Sequence, residues 1–109
     1  MDFGIIELSE EQSMIVDSVR SFAESEIAPK AAEIDAEGRF PKELVQQMAQ
    51  MGLLGINVEP EYDGAGLDYL TYAMVGEEIN AACASTGVIF SAHNSLACGP
   101  MKKWATEEQ

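Results

Sequence analysis

Apolar positions along this chain recur at helical spacing, and the breaks between them fall on turn-forming residues. Ser9-Glu10-Glu11-Gln12 has the form of a capping box. The Ser9 hydroxyl would satisfy a free N–H of the first turn while the Gln12 side chain returns to the Ser9 backbone, so a helix is expected to begin here. Ile15, Val19, Phe22 and Ala23 supply its apolar stripe. Pro29 lacks an N–H and disfavours helical geometry at Ala28, which predicts a kink or restart and then a shorter piece through Ala31, Ala32 and Ile34 toward Gly38. Phe40-Pro41 opens the next helix, with Pro41 suited to its first position; Leu44, Val45, Met48 and Met51 form the stripe and Gly52 the stop. The apolar residues 53–58 are too few to assign by periodicity and are read as a buried extended connector. Residues 59–66 are loop, dense in turn residues. Asp68 caps a third main helix with Leu70, Met74, Ile79, Ala82 and Cys83 on its inner side. Gly76 costs that helix about 1 kcal/mol relative to alanine, which predicts a close neighbouring backbone.

The pattern then changes. Residues 79–101 carry no Asp, Glu, Lys or Arg. Ser85 or Thr86 is expected to cap a helix here and Gly99-Pro100 to end it. Asn80, His93, Asn94 and four hydroxyl residues interrupt the run, so it is not a membrane span, which needs about 20 predominantly apolar residues. Two readings stay open: a buried bundle helix, and a helix that also lines a ligand pocket. Residues 101–105 read as a helical turn or two around Trp104. Thr106-Glu107-Glu108-Gln109 repeats the capping-box pattern, from which a continuation of the chain is expected.

All of this fits one all-α domain over the 109 residues. Six basic against nineteen acidic side chains leave a net charge of −13, which repels phosphate backbones and anionic membrane surfaces; neither nucleic acid nor membrane is an expected partner. The acid is interspersed along the helices and reads as a solvated face. Cys83 and Cys98 lack metal-ligand or C-x-x-C spacing and read as buried free thiols rather than a disulfide or redox pair. The opening residues lack the basic and long apolar regions of a secretory signal, and a reducing, cytoplasmic compartment is inferred.

Three features invite a catalytic or phosphate-binding reading, and each has a plainer one. Gly64-Ala65-Gly66 is no nucleotide fingerprint, because position 69 is a tyrosine where a third glycine would open the helix. Glu77 and Glu78 point about 100° apart on a helix and are read as solvated or salt-bridged. His93 is the single histidine; no Ser-His-Asp or Cys-His arrangement can be assembled around it, and it is read as packed or pocket-facing. No catalytic residue and no metal ligand is assigned within the chain.

Leu8-Ser9-Glu10-Glu11-Gln12, Ala28-Pro29, Phe40-Pro41, Gly52-Leu53-Leu54-Gly55, Gly64-Ala65-Gly66-Leu67-Asp68, Glu77-Glu78-Ile79, Ala84-Ser85-Thr86-Gly87 and Asn94-Ser95-Leu96 stand in an order and spacing that resemble the acyl-CoA dehydrogenase family. The resemblance covers essentially the whole chain, and the helix from Thr86 is most similar to the short-chain, butyryl-CoA type. It implies a helical-bundle N-terminal domain over residues 1–109, followed in the family by a middle β domain and a C-terminal helical bundle. It also implies an FAD-dependent enzyme that oxidises an acyl-CoA thioester to the trans-2-enoyl-CoA and passes electrons to electron-transfer flavoprotein. The catalytic carboxylate and most flavin contacts belong to the later domains, so this chain alone is expected to hold no FAD and to turn nothing over. By the resemblance, the helix over 86–98 lines the acyl end of the substrate cavity through Ile89, Phe90, His93 and Leu96, with Ala92 secondary. Homo-oligomerisation is expected. Three departures stand out: Asp63 replaces a common glycine, the loop proline is displaced to Pro60, and Trp104-Ala105 stands where the family has an aromatic followed by glycine. The alternatives carried alongside are a stand-alone helical binding module and the same fold in an acyl-CoA oxidase-like flavoenzyme.

Overall fold

The computed structural model describes residues 6–109; part of the stretch read for a secretory signal, residues 1–5, lies outside them. The order is α1 (Glu10–Phe22), a π-helical turn (Ala23–Ile27), α2 (Ala28–Glu37), α3 (Lys42–Gln50), short 3-10 turns at Leu53–Gly55 and Pro60–Tyr62, α4 (Tyr69–Ala82), α5 (Ala84–Ala92), a second π-helical turn (His93–Cys98) and α6 (Gly99–Trp104). The all-α bundle expected from periodicity is observed. α1 and α5 both pack against α4, while α3 packs on the Leu53–Gly55 turn, which in turn meets the second π turn; Leu44, Met48, Leu53 and Ile56 are the buried residues there. Val19, Ala23, Ile27, Val75, Ile79 and Phe90 complete the core. Each fully buried Val, Leu, Ile or Phe side chain contributes about 1.5–3 kcal/mol.

The capping box at the start of α1 is closed: Gln12 N–H donates to Ser9 Oγ at 3.1 Å and Ser9 N–H donates to Gln12 Oε1 at 3.0 Å. Gly38 and Gly52 end α2 and α3 in the left-handed region, with φ 61° and 78°. Pro41 takes the cap position, one residue before α3. The adjacent acids part as expected: Glu78 Oε1 accepts from Arg20 Nη2 at 2.8 Å and Nε at 3.2 Å, while Glu77 is exposed.

Neither proline breaks its helix. Pro29 and Pro100 each fall in the first turn of an α-helix that follows a π turn directly. At Ala23–Ile27 the Ala28 N–H reaches the Ala23 carbonyl, one residue further back than in an α-helix. That wider turn changes which carbonyls need a donor and keeps Ala28 helical at φ −55° and ψ −42°. The expected stop at Gly99-Pro100 is therefore replaced by a helix that runs on through Trp104.

Two further expectations are corrected. The connector after Gly52 is buried at Leu53 and Ile56 but is coiled into a 3-10 turn, not extended. It curls because the following loop folds back on it: Ala65 N–H donates to the Gly55 carbonyl, Gly66 N–H to Val58 and Leu67 N–H to Ile56, at 2.8–2.9 Å. A Cβ at Gly64 would collide with the Val58 backbone, and Asp63 occupies the left-handed region at φ 64°, where glycine is easiest. In α4 the inner stripe is Thr71, Val75, Ile79 and Cys83, whereas Leu70 is exposed and Met74 half-buried. The helix is apolar on several sides, so its pattern selects no single face. Asp68 Oδ1 helps set the rotation by accepting from Thr71 N–H at 2.9 Å and Thr71 Oγ1 at 2.6 Å.

Candidate functional site

The charge-free helix starts at a sharp break. Cys83 is extended, with φ −160° and ψ 110°, and separates α4 from α5. The expected hydroxyl cap is absent. Instead the Thr86 hydroxyl donates to Cys83 Sγ at 3.3 Å, and Ser85 Oγ lies 3.3 Å from the same sulfur. Burial works against the Cys83 thiolate, but these hydroxyls and the Ser85 and Thr86 backbone N–H groups outweigh it and hold the thiol below its ordinary value. Cys83 and Cys98 are both free.

Thr86, Gly87 and Phe90 form the buried face of α5. The Phe90 ring stacks on Tyr72, with centroids 5.3 Å apart and planes 24° from parallel. A Cβ at Gly76 would meet Phe90 Cε1 at 3.4 Å, an ordinary contact, and no neighbouring backbone comes close, contrary to expectation.

Asn94 continues the same face, four residues on, and sequence reasoning missed its role. It is 8% exposed. Its Nδ2 donates to the Leu53 carbonyl at 2.9 Å and to the Phe90 carbonyl at 3.0 Å, and its Oδ1 accepts from Ile56 N–H at 3.2 Å. One amide thereby joins the start of the second π turn to the 3-10 connector. The available signal was the spacing: 86, 90 and 94 share one helical stripe, and a polar residue on a buried stripe requires partners.

The four residues expected to line an acyl cavity do not converge. Phe90 is fully enclosed in the core and Ile89 is half-buried. His93 is exposed at the rim of a cavity of about 540 Å³, whose walls include Leu54, Val58, Tyr62, Cys98 and Met101. Leu96, 75% exposed, borders a different, shallow apolar depression with Pro100 and Trp104. Ala97 and Met101 line both hollows. Ala92 is half-buried.

The cavity's rim is charged and hydrogen-bonded. Lys102 Nζ donates to the Asn57 carbonyl at 2.7 Å and lies 3.2 Å from Glu59 Oε1. A hydrogen bond within its own residue and the Lys102 ammonium hold the Glu59 carboxyl below the usual carboxylate range. Burial raises the Cys98 thiol against the smaller opposing effect of Lys102. The Tyr62 hydroxyl donates to Glu107 Oε2 at 2.6 Å, and this bond, with lesser help from burial and the nearby acids, pushes the phenol up to about 12. The bond favours the neutral phenol, so its contribution to stability is complete below pH about 10 and is lost as pH rises through about 12. A phenolate absorbance titration, taken as the difference between the chain and Tyr62→Phe, is expected to place Tyr62 near 12. Glu107→Gln should return it toward 10.

Among the described residues no group of three His, Cys, Asp or Glu side chains converges as a metal site. Nor is any helix among them long and apolar enough to cross a membrane. Chemically, the helix from Ala84 to Trp104 offers an apolar surface with a polar rim.

Three comparisons bear on this surface. The family model for the acyl-CoA dehydrogenase N-terminal domain matches residues 9–109. The chain is 50% identical over 104 residues to the mitochondrial short-chain specific acyl-CoA dehydrogenase of Bos taurus, covering 95% of this chain and 25% of that protein. Among solved structures, a chain from work on the electron transferring flavoprotein of Acidaminococcus fermentans and flavin-based electron bifurcation superposes with TM-score 0.88 at 38% identity, over 99% of this chain and 28% of its own. Butyryl-CoA dehydrogenase from Megasphaera elsdenii superposes with TM-score 0.86 at 31% identity over the same shares. The chain thus spans about a quarter of the length of the relatives it matches. An ordered set of short motifs, an all-α bundle and a family match over nearly every residue lead to one assignment: the chain belongs to the acyl-CoA dehydrogenase family, as its N-terminal domain.

Proposed function

We propose that this chain is the helical N-terminal domain of an FAD-dependent acyl-CoA dehydrogenase that oxidises a short-chain acyl-CoA thioester to the trans-2-enoyl-CoA. In this reading its charge-free helix supplies one wall of the acyl pocket. The observation that carries the proposal is the division of that helix into two faces. Thr86, Phe90 and Asn94 lock one into the core, while Val88 is exposed and Leu96, Met101 and Trp104 border one open hollow. An apolar surface left open on a family member is suited to a ligand or to another part of the same protein. The short-chain preference is supported by the relatives, one named short-chain specific and one butyryl-CoA dehydrogenase.

Of the set Ile89, Phe90, His93 and Leu96, all but Phe90 are proposed to face the substrate. His93 and Leu96 offer accessible surface and Ile89 a partial one. Phe90 acts from behind, by holding the volume that keeps the wall in place. Each methylene admitted or excluded by such a wall changes discrimination by about 1–3 kcal/mol.

The flavin, when bound, supplies the hydride acceptor, but the residues present do not fit it. The Gly64-Ala65-Gly66 loop, the one glycine-rich segment, spends its N–H groups on Glu59, Gly55 and Val58 carbonyls, and the net charge of −13 repels a diphosphate. Flavin and catalytic base are therefore assigned to parts of the enzyme beyond this domain. Electron-transfer flavoprotein as acceptor, a homo-oligomeric assembly and a cytoplasmic setting belong to the same proposal.

The test is the polypeptide encoded by the complete gene, assayed with acyl-CoA substrates of increasing length. Butyryl-CoA is expected to be oxidised faster than octanoyl-CoA, with electron-transfer flavoprotein preferred over oxygen. Leu96→Trp should narrow the length profile further. Absence of 2-enoyl-CoA product would favour a binding module, and preference for oxygen an oxidase. Incubated with FAD, the 109-residue chain is expected to remain colourless after gel filtration; stoichiometric yellow flavin would overturn the assignment of that site to other domains.

A further inference from the structure

We infer, resting on the reading of α5 as part of an acyl wall, that Gly87 is a specificity-determining residue: its missing side chain lets α5 seat against Asn80 of α4, and that seating sets how far Ile89 reaches toward the acyl chain. The two helices meet without a loop, Cys83 being the last cap of α4 and the first of α5. Four residues on, Gly87 is buried, and a Cβ added to it would collide with Oδ1, Cγ and Nδ2 of Asn80. The Asn80 amide faces solvent on its other side but is held in place, since Nδ2 donates to the Gly76 carbonyl at 2.7 Å. The fit is reciprocal one turn further along: Phe90 of α5 lies against Gly76 of α4. Each helix thus presents a glycine to a larger side chain of the other.

Ile89 follows Gly87 by two positions and so lies about 200° round the helix, on the side turned away from Asn80. Both precede the π turn that begins at His93, where ordinary helical spacing ends. A push on α5 at Gly87 therefore carries the half-buried Ile89 outward. The segment is pinned on one side by the break at Cys83 and on the other by the bonds from Asn94 to the Leu53 carbonyl and the Ile56 N–H. Displacement is confined to the residues between, which are those that bear Ile89. A close-packed interior transmits such a shift instead of absorbing it. One methylene of acyl chain excluded by the wall changes discrimination about 10–200-fold.

The test is the enzyme encoded by the complete gene, read as the ratio of kcat/KM for hexanoyl-CoA to kcat/KM for butyryl-CoA. That ratio does not depend on the fraction of enzyme that folds, so a loss of stability alone leaves it unmoved. Gly87→Ala is expected to lower it about tenfold. Asn80→Ala should leave it within about twofold of the parent's, and Gly87→Ala combined with Asn80→Ala should return it to that range, because the new methyl then fills the space the amide held. Where Gly87→Ala fails to fold, Asn80→Leu, a change at an exposed position, presses on Gly87 from the other helix and is expected to lower the same ratio. An unchanged ratio in Gly87→Ala, or in Asn80→Leu where that variant stands in for it, would show that the side chain at position 80 swings aside, and would overturn the role of Gly87. A lowered ratio that Asn80→Ala does not restore would overturn it as well. A parent enzyme that forms no 2-enoyl-CoA would instead overturn the acyl-wall reading, and the role of Gly87 with it.

Discussion

Phe90→Ala is expected to lower the stability of the domain by about 3–5 kcal/mol, read as a fall in the urea midpoint at unchanged slope. The ring is completely enclosed, stacked on Tyr72 and fitted against Gly76, so truncation removes its transfer energy and leaves a hole between α4 and α5. The neighbours cannot collapse into it easily, because Thr71, Val75 and Ile79 already fix the packing of α4. A domain of this size has about 5–15 kcal/mol in total, so the loss is a large share. A loss under about 1 kcal/mol would mean that Tyr72 swings into the space. The result also governs how Phe90 is used as a probe of substrate length: Phe90→Leu, which keeps most of the volume, separates pocket shape from unfolding better than alanine does.

Asn94→Leu should cost about 3 kcal/mol although the new side chain is similar in size and more apolar. The substitution leaves the Leu53 carbonyl and the Ile56 N–H, both in the buried connector, without their partner, and each such group costs about 1–3 kcal/mol. Amide exchange at Ile56 is expected to accelerate more than exchange in α1, since the clamp spans only the connector and the second π turn. Unchanged exchange at Ile56 would show that water or a shifted carbonyl replaces the clamp.

These two residues mark where sequence reading was strong and where it stopped. The helix starts at Ser9 and Asp68, the stops at Gly38 and Gly52 and the separate fates of Glu77 and Glu78 were legible, because each depends on residues a few positions apart. The stripes of α1 and α3 were mostly legible because polar residues outline their apolar faces, though Val16 is buried beside Val19 and Met51, expected on the α3 stripe, is exposed. α4 lacks that outline, and its stripe came out rotated toward Thr71 and Val75. The spacing of Asn94 from Thr86 and Phe90 hinted that it is buried, but its bonds to residues 53 and 56 span about forty positions, so the identity of its partners could not be read from the chain.

The candidate site divides the same way. That residues 79–101 would be helical was legible, but enclosure on most sides was not borne out, since Val88, Leu96 and Met101 stand exposed. Which side was enclosed was not legible either, and Phe90 went inward while Leu96 went outward. The π turn at His93–Cys98 changes the angular step between Phe90 and Leu96, so faces counted at ordinary helical spacing no longer apply past His93.

The sequence by itself determined the helical class, the local starts and stops, the acidic outer surface and, through its ordered motifs, the family. These depend on short-range backbone chemistry and on composition, which a linear chain carries in full. The tertiary structure alone decided that both prolines sit inside helical runs, that the connector coils, that Asn94 clamps it and that His93 and Leu96 border separate hollows. Each of those outcomes depends on which distant carbonyls, rings and side chains arrive at the same place, and that is set only when the helices pack.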